Sequence, residues 1–198
     1  MIAAVLAKGG SARLGGACKP LVAWRGRPLI EHVLAAAAPC VARSLVVTAA
    51  PEVFAHFAGR SGGPEVIADA ARDAGPLGGL LAALDHAGSE PVLLLGCDMP
   101  RLTTPVIRRI LHAVGSEPAT VPLIGGMPQP LCAVYGPGVR PVLAGLMGER
   151  RAGLRALLDR LAVRWLDEAA LGYHPGCGWF DDVDTWEAIG ALPKGGPA

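Results

Sequence analysis

Apolar residues along this chain fall in short unbroken runs: "IAAVLA" (2–7), "SLVVTA" (44–49), "EVIAD" (65–69), "PVLLLGCD" (91–98), "ATVPLI" (119–124) and "LCAVY" (131–135). Runs of this length, apolar on both faces, suit strands buried between two layers of helix. Most of the intervening segments read as helix. "RPLIEHVLAAAA" places Pro28 at a first helical position and stops before Pro39, while Pro51 and Pro105 mark two further starts, the second behind Thr104 as candidate cap. Strands alternating with helices predict a mostly parallel sheet.

The rhythm changes after residue 124, where "IGGMPQPLCAVYGPG" predicts a loop feeding a strand and an antiparallel insertion. Helical stretches are expected near 139–147 and 153–162, then "VRWLD", a Gly/Pro-rich loop over 172–178, and a closing "WFDDVDTWEAIGAL" that starts a last helix. The predicted fold class is α/β: one Rossmann-like domain over 1–192, its central sheet flanked by helices, with 193–198 as a frayed tail. No repeat or long linker divides the chain.

Composition sharpens this picture. The chain has 198 residues, enough for one core, and 52% are hydrophobic, yet it has only three Phe and two Tyr. Ala, Leu, Val and Gly must therefore fill the interior, which suits close helix-to-sheet packing. The net charge of +1 is dispersed, so the basic footprint of a nucleic-acid or membrane-surface binder is missing. The five cysteines, Cys18, Cys40, Cys97, Cys132 and Cys177, form no CxxC pair and signal neither a disulfide framework nor a zinc site. No apolar run reaches the roughly 18 residues of a membrane span, and no basic flank precedes the first strand. The expectation is a soluble cytoplasmic protein.

Chemistry concentrates behind the first strand. "AKGGSARLGGACKP" (7–20) holds four glycines, two lysines and an arginine. A glycine-rich turn after a strand can aim successive backbone N–H groups at one anion, with phosphate the obvious guest. Two common phosphate loops fail on spacing: Gly16 stands where a P-loop needs lysine, and Ser11 breaks the dinucleotide GxGxxG. Asp98 ends the strand "VLLLGC", the position at which open α/β sheets bind ligands, and can serve as a magnesium ligand or as a helix cap. Asp69 ends another strand, as a ligand contact or a turn residue. The five histidines form no ligand constellation, and Ser11 sits in no nucleophile elbow.

The loop instead matches the pattern L-A-x-G-G-x-x-R-(M/L)-G…K through Leu6, Ala7, Gly9, Gly10, Arg13, Leu14, Gly15 and Lys19. This resembles the opening of nucleotidyltransferases of the nucleotide-sugar pyrophosphorylase type. Within that superfamily the chain is most similar to the molybdenum cofactor guanylyltransferases, because "GPLGGLLAAL" (75–84), "GCDMP" (96–100), "PQPLCAVY" (128–135), "GERR" (148–151) and "DDVDTWEA" (181–188) follow in that family's order.

The resemblance implies transfer of GMP from GTP to the phosphate of a molybdopterin-type acceptor, with release of pyrophosphate and with Mg2+ as cofactor. It makes Arg13, Lys19 and Asp98 the catalytic residues, with Asp98 on the metal. It lines the nucleotide site with Leu6, Ala7, Lys8, Gly9, Gly10, Ser11, Arg13, Lys19, Thr48, Asp69, Gly75, Pro76, Leu77 and Asp98. Other cofactor-assembly or acceptor proteins are further possible partners. Four features depart from the pattern: Lys8 for a small residue, Cys18 for an acidic one, Thr48 for a strand-end Asn, and Asp182 and Asp184 for asparagines. The late aspartates also occur in related cytidylyltransferases, which keeps CTP open as the nucleotide. A nucleotide-binding regulator of the same fold is the non-enzymatic alternative.

Overall fold

The computed structural model describes residues 1–7, 18–59, 62–71, 74–149, 152–183 and 190. The chain alternates as expected. Strand β1 (Ile2–Leu6) leads through a hairpin of β2 (Ala23–Trp24) and β3 (Arg27–Pro28) into helix α1 (Leu29–Ala37). Then come β4 (Ser44–Thr48), α2 (Pro51–Ala58), β5 (Glu65–Ala68), α3 (Gly75–Ala87), β6 (Val92–Gly96) and α4 (Thr104–His112). The second half contributes β7 (Ala119–Ile124), β8 (Met127–Pro128), β9 (Cys132–Tyr135), α5 (Arg140–Leu146), α6 (Leu154–Leu158), β10 (Val163–Leu166) and α7 (Glu168–Leu171).

The main sheet runs in the order β10-β7-β9-β6-β1-β4-β5. Of these strands β9 alone is reversed, pairing antiparallel with both β6 and β7, and it is the insertion expected from the sequence. All five residues of β1 and of β6 are buried, as their unbroken apolar runs require. Ala3, Val5 and Ala7 belong to one core cluster with residues of α1, α2 and α4; Ile2, Ala4 and Leu6 belong to the other, with α3, α5 and α6. The sheet is therefore covered on both faces.

Several local expectations are corrected. Pro28 precedes the first turn of α1 as its N-cap residue, because it is already paired in β3. The N-cap of α4 is Thr103; Thr104 lies inside the first turn and donates its hydroxyl to the Ala36 carbonyl at 2.9 Å, tying α4 to α1. The segment expected as helix over 153–162 is helical only over Leu154–Leu158, and "VRWL" forms β10, an edge strand parallel to β7. The β2–β3 hairpin turns on Arg25 and Gly26, both at positive φ (51° and 75°). Arg25 tolerates that backbone with its guanidinium 4.2 Å from the centre of the Trp24 ring.

Candidate functional site

The carboxyl ends of β6, β1, β4 and β5 lie side by side, with Gly96 beside Leu6, Leu6 beside Val47, and Thr48 beside Ala68. Crossovers leave β1 toward β4 on one side and return to β6 on the other. The crevice beyond Leu6 and Gly96 is thus the switch point at which sheets of this type bind ligands.

Asp98 is placed there by the turn that ends β6. A Cβ on Gly96 would stand 2.6 Å from Asp98 Oδ1 and 3.3 Å from Met99 Cε, so only glycine lets the carboxylate fold back over the strand end. Gly96 donates its N–H to the Leu131 carbonyl at 2.7 Å, which extends the ladder with the reversed strand. Lys19 enters from the opposite side, on a single 3-10 turn (Lys19–Leu21) with Pro20 behind it. Its ammonium donates to Asp98 Oδ2 at 2.8 Å, and the lysine side chain is only 8% exposed. Two of the expected catalytic residues, far apart in sequence, thus form one ion pair.

Leu6 and Ala7 continue the crevice as buried residues, with the Ala7 N–H held by the Val47 carbonyl at 2.9 Å. Thr48 is buried and accepts from the Ala50 N–H through its hydroxyl at 3.2 Å. Its carbonyl receives the Asp69 N–H at 2.9 Å, and Asp69 Oδ1 accepts from Ala71 N–H at 3.0 Å. Asp69 is therefore in a turn that binds its own backbone, at the site's rim.

The glycines of "GPLGG" divide the work. Gly75 opens α3 at φ 55°, a conformation that disfavours side chains. Gly78 lies so close that a Cβ would be 2.5 Å from Asp69 Oδ1 and 2.7 Å from the Ala71 carbonyl. Gly79 faces Leu6, and a Cβ there would stand 2.7 Å from Leu6 Cδ2. Gly75 and Pro76 are half-buried, whereas Leu77, expected among the nucleotide contacts, is 1% exposed and packs in the core with Leu80 and Leu84.

Lys8, Gly9, Gly10, Ser11 and Arg13 lie outside the described residues, as do Asp184 and Thr185. Of the "GERR" motif, Glu149 forms a two-point ion pair with Arg160 at 2.8 and 3.0 Å, which lowers the carboxyl's proton affinity. Residues that motif reading did not single out are Gly96, Gly78 and Gly79, which admit their neighbours, and Val183, whose N–H donates to the Asp98 carbonyl at 3.0 Å. Gly96, Gly78 and Gly79 were visible inside quoted motifs, but glycine gives no sign of which neighbour it admits. The Val183 contact had no local signal at all.

Among the described residues the charges of the site are the Lys19–Asp98 pair and Asp69. Burial, and then the Asp98 carboxylate beside it, hold the Cys97 thiol far above its ordinary range, so it stays neutral. Among the described residues no three His, Cys, Asp or Glu side chains come together as a metal site. The donor set nonetheless suits magnesium: a carboxylate at the carboxyl end of β6, part exposed and now carrying the Lys19 ammonium as its cation. That ion commonly takes one or two carboxylates and completes its shell with phosphates and water.

The five cysteines are all free, and among the described residues no helix is long and apolar enough to cross a membrane. Comparison with known proteins agrees with the geometry. The MobA-like NTP transferase domain family matches residues 3–165. A protein of Bacillus subtilis (strain 168) named probable molybdenum cofactor guanylyltransferase is 31% identical over 195 residues, covering 96% of this chain and 94% of its own. One of Deinococcus radiodurans with the same name is 38% identical, over 79% of each chain. The crystal structure of molybdopterin-guanine dinucleotide biosynthesis protein A from Archaeoglobus fulgidus superposes with a TM-score of 0.79 at 25% identity, over 96% of this chain and 95% of that one. The family match over most of the chain, with relatives of 31% and 38% identity, shows the family directly: the chain belongs to the MobA-like NTP transferases.

Proposed function

We propose that this protein is a guanylyltransferase that moves GMP from GTP onto the terminal phosphate of molybdopterin, forming the guanine dinucleotide cofactor and pyrophosphate. The observation that carries the reading is the Lys19–Asp98 pair, one cation and one carboxylate 2.8 Å apart where the sheet opens. The names of the most similar relatives support the choice of substrates.

In this reading residues 1–192 act as one transferase unit; 193–198, expected as a tail, lie outside the described residues. The triphosphate lies along the glycine-rich loop, held by backbone N–H groups of Lys8, Gly9, Gly10 and Ser11 and by Arg13 and Lys19. The nucleoside lies toward Leu6, Ala7, Thr48, Asp69, Gly75 and Pro76. An acceptor phosphate oxygen forms a bond to the α-phosphorus as the bond to the β-phosphate oxygen breaks, and the electron pair leaves with pyrophosphate. Mg2+ at Asp98 would supply charge neutralisation on the phosphates. Lys19 is poised to exchange its carboxylate partner for a phosphate oxygen, and to stabilise the charge that grows on the leaving group. The protein needs no nucleophile of its own, because positioning and fixed charge carry most of such a reaction.

The test is direct. Purified protein, Mg2+, GTP and molybdopterin should release pyrophosphate and yield the guanine dinucleotide by mass spectrometry. CTP and ATP should fail, because buried groups that pair with guanine would be left unpaired by another base. Pyrophosphate at the blank rate would overturn the enzymatic reading, and equal rates with CTP would overturn the choice of base.

A further inference from the structure

The strap over residues 172–183 has no regular secondary structure after α7, yet it packs against the turn that carries Asp98. Arg101, three residues beyond Asp98, explains this. Its guanidinium donates to the Gly176 carbonyl at 2.8 Å and to Asp181 Oδ2 at 3.3 Å. Between those anchors the chain passes at Gly178, φ 60°, where a Cβ would stand 1.9 Å from the guanidinium nitrogen. Only a bare backbone lets the planar group lie across the turn. Phe180, in the strap, shares a core cluster with Cys97, Met99 and Leu102, and Tyr173 meets Trp179 and Phe180 at 5.8 and 6.0 Å. The strap then returns to the site, where buried Val183 donates to the Asp98 carbonyl at 3.0 Å.

These contacts close a ring: Asp98 to Arg101 along the chain, Arg101 to the strap, and the strap back to Asp98. The Arg101–Asp181 ion pair is partly exposed and weak as a pair in isolation. Its strength lies in the fork, which holds a carboxylate and a carbonyl at once in a way that a lysine cannot reproduce. We infer that Arg101 is a positioning residue, clasping the 176–181 turn so that Val183 fixes the backbone of Asp98 for the reaction. The clasp is independent of what the enzyme transfers, whereas the kinetic consequence rests on the proposed guanylyl transfer.

Hydrogen exchange of the ligand-free protein, combined with steady-state kinetics, tests both parts. In Arg101→Ala, exchange over 173–183 should quicken by about tenfold or more while the sheet strands keep their protection. Turnover should fall by about tenfold or more with the KM for GTP within about twofold of the parent, the split expected when an interaction matters only in the transition state. Arg101→Lys should fall between, and Asp181→Ala, which spares the carbonyl anchor, should show the same pattern more weakly, which serves if Arg101→Ala does not fold. Unchanged exchange in both Arg101→Ala and Asp181→Ala would overturn the clasp. Faster exchange with parental turnover would overturn its role in positioning Asp98. A parent protein that transfers no GMP at all would refute the proposed function instead, and the exchange result would still decide the clasp.

Discussion

Lys19 donates to Asp98 across 2.8 Å, from a side chain that is 8% exposed to a carboxylate that is 21% exposed. A buried ammonium stripped of such a partner is costly, while removing both partners is much less so. Asp98→Asn and Lys19→Met should each lower unfolding free energy by about 1–3 kcal/mol, with the double variant well short of their sum. Urea titration of the four proteins completes the cycle; strict additivity would show that the two groups do not interact.

Turnover should separate the pair from its structural role. Lys19→Ala and Asp98→Asn are each expected to lose about 2–4 kcal/mol of transition-state stabilisation, about 1.5 to 3 orders of magnitude in kcat, in protein that is still folded by circular dichroism. If Asp98→Asn retains activity with Mg2+ within a few-fold of the parent, the metal assignment fails.

Gly78 offers a test of the proposed nucleotide wall away from the ion pair. Its missing Cβ leaves room for Asp69 Oδ1 and the Ala71 backbone, neither of which can retreat without moving the rim. Gly78→Ala should destabilise by about 1–3 kcal/mol through overpacking, and should raise the KM for GTP more than it lowers kcat. Gly148→Ala, where no described residue lies within 4 Å of a new Cβ, is the control and should leave both unchanged. An unchanged KM in Gly78→Ala would detach Asp69 from the nucleotide.

Burial makes a pH prediction. It raises the Cys132 thiol from 9.0 to about 12, and raises Cys97 still further. Both stay protonated in the folded state while the unfolded chain ionises above pH 9, so the unfolded state holds fewer protons and stability falls as pH rises. The contribution is complete below pH 9 and declines by about 1.4 kcal/mol per thiol for each pH unit between 9 and 12. Denaturant midpoints at pH 8 and pH 10 should show this loss, and Cys132→Ala should lessen it. Equal loss in parent and variant would place its origin elsewhere.

Much of this molecule is decided locally. The all-apolar runs determine strands that need cover on both faces, and their alternation with helices determines a mostly parallel sheet, because only crossovers of that length join parallel neighbours. Short motifs likewise marked Lys19, Asp98, Asp69 and "GPLGG", since strand ends and glycine turns are features of a few adjacent residues. Tertiary structure decided the rest. That Lys19 and Asp98 meet depends on β1 and β6 being neighbours, and that Leu77 turns inward depends on how α3 lies on the sheet. Whether "VRWL" is a strand was settled by the free edge of β7, as four residues with a single charge among them carry no decisive period. The contact from Val183 to Asp98 and the clasp of Arg101 on Gly176 and Asp181 join segments about eighty residues apart, and no local pattern of polar and apolar positions encodes a distance of that kind.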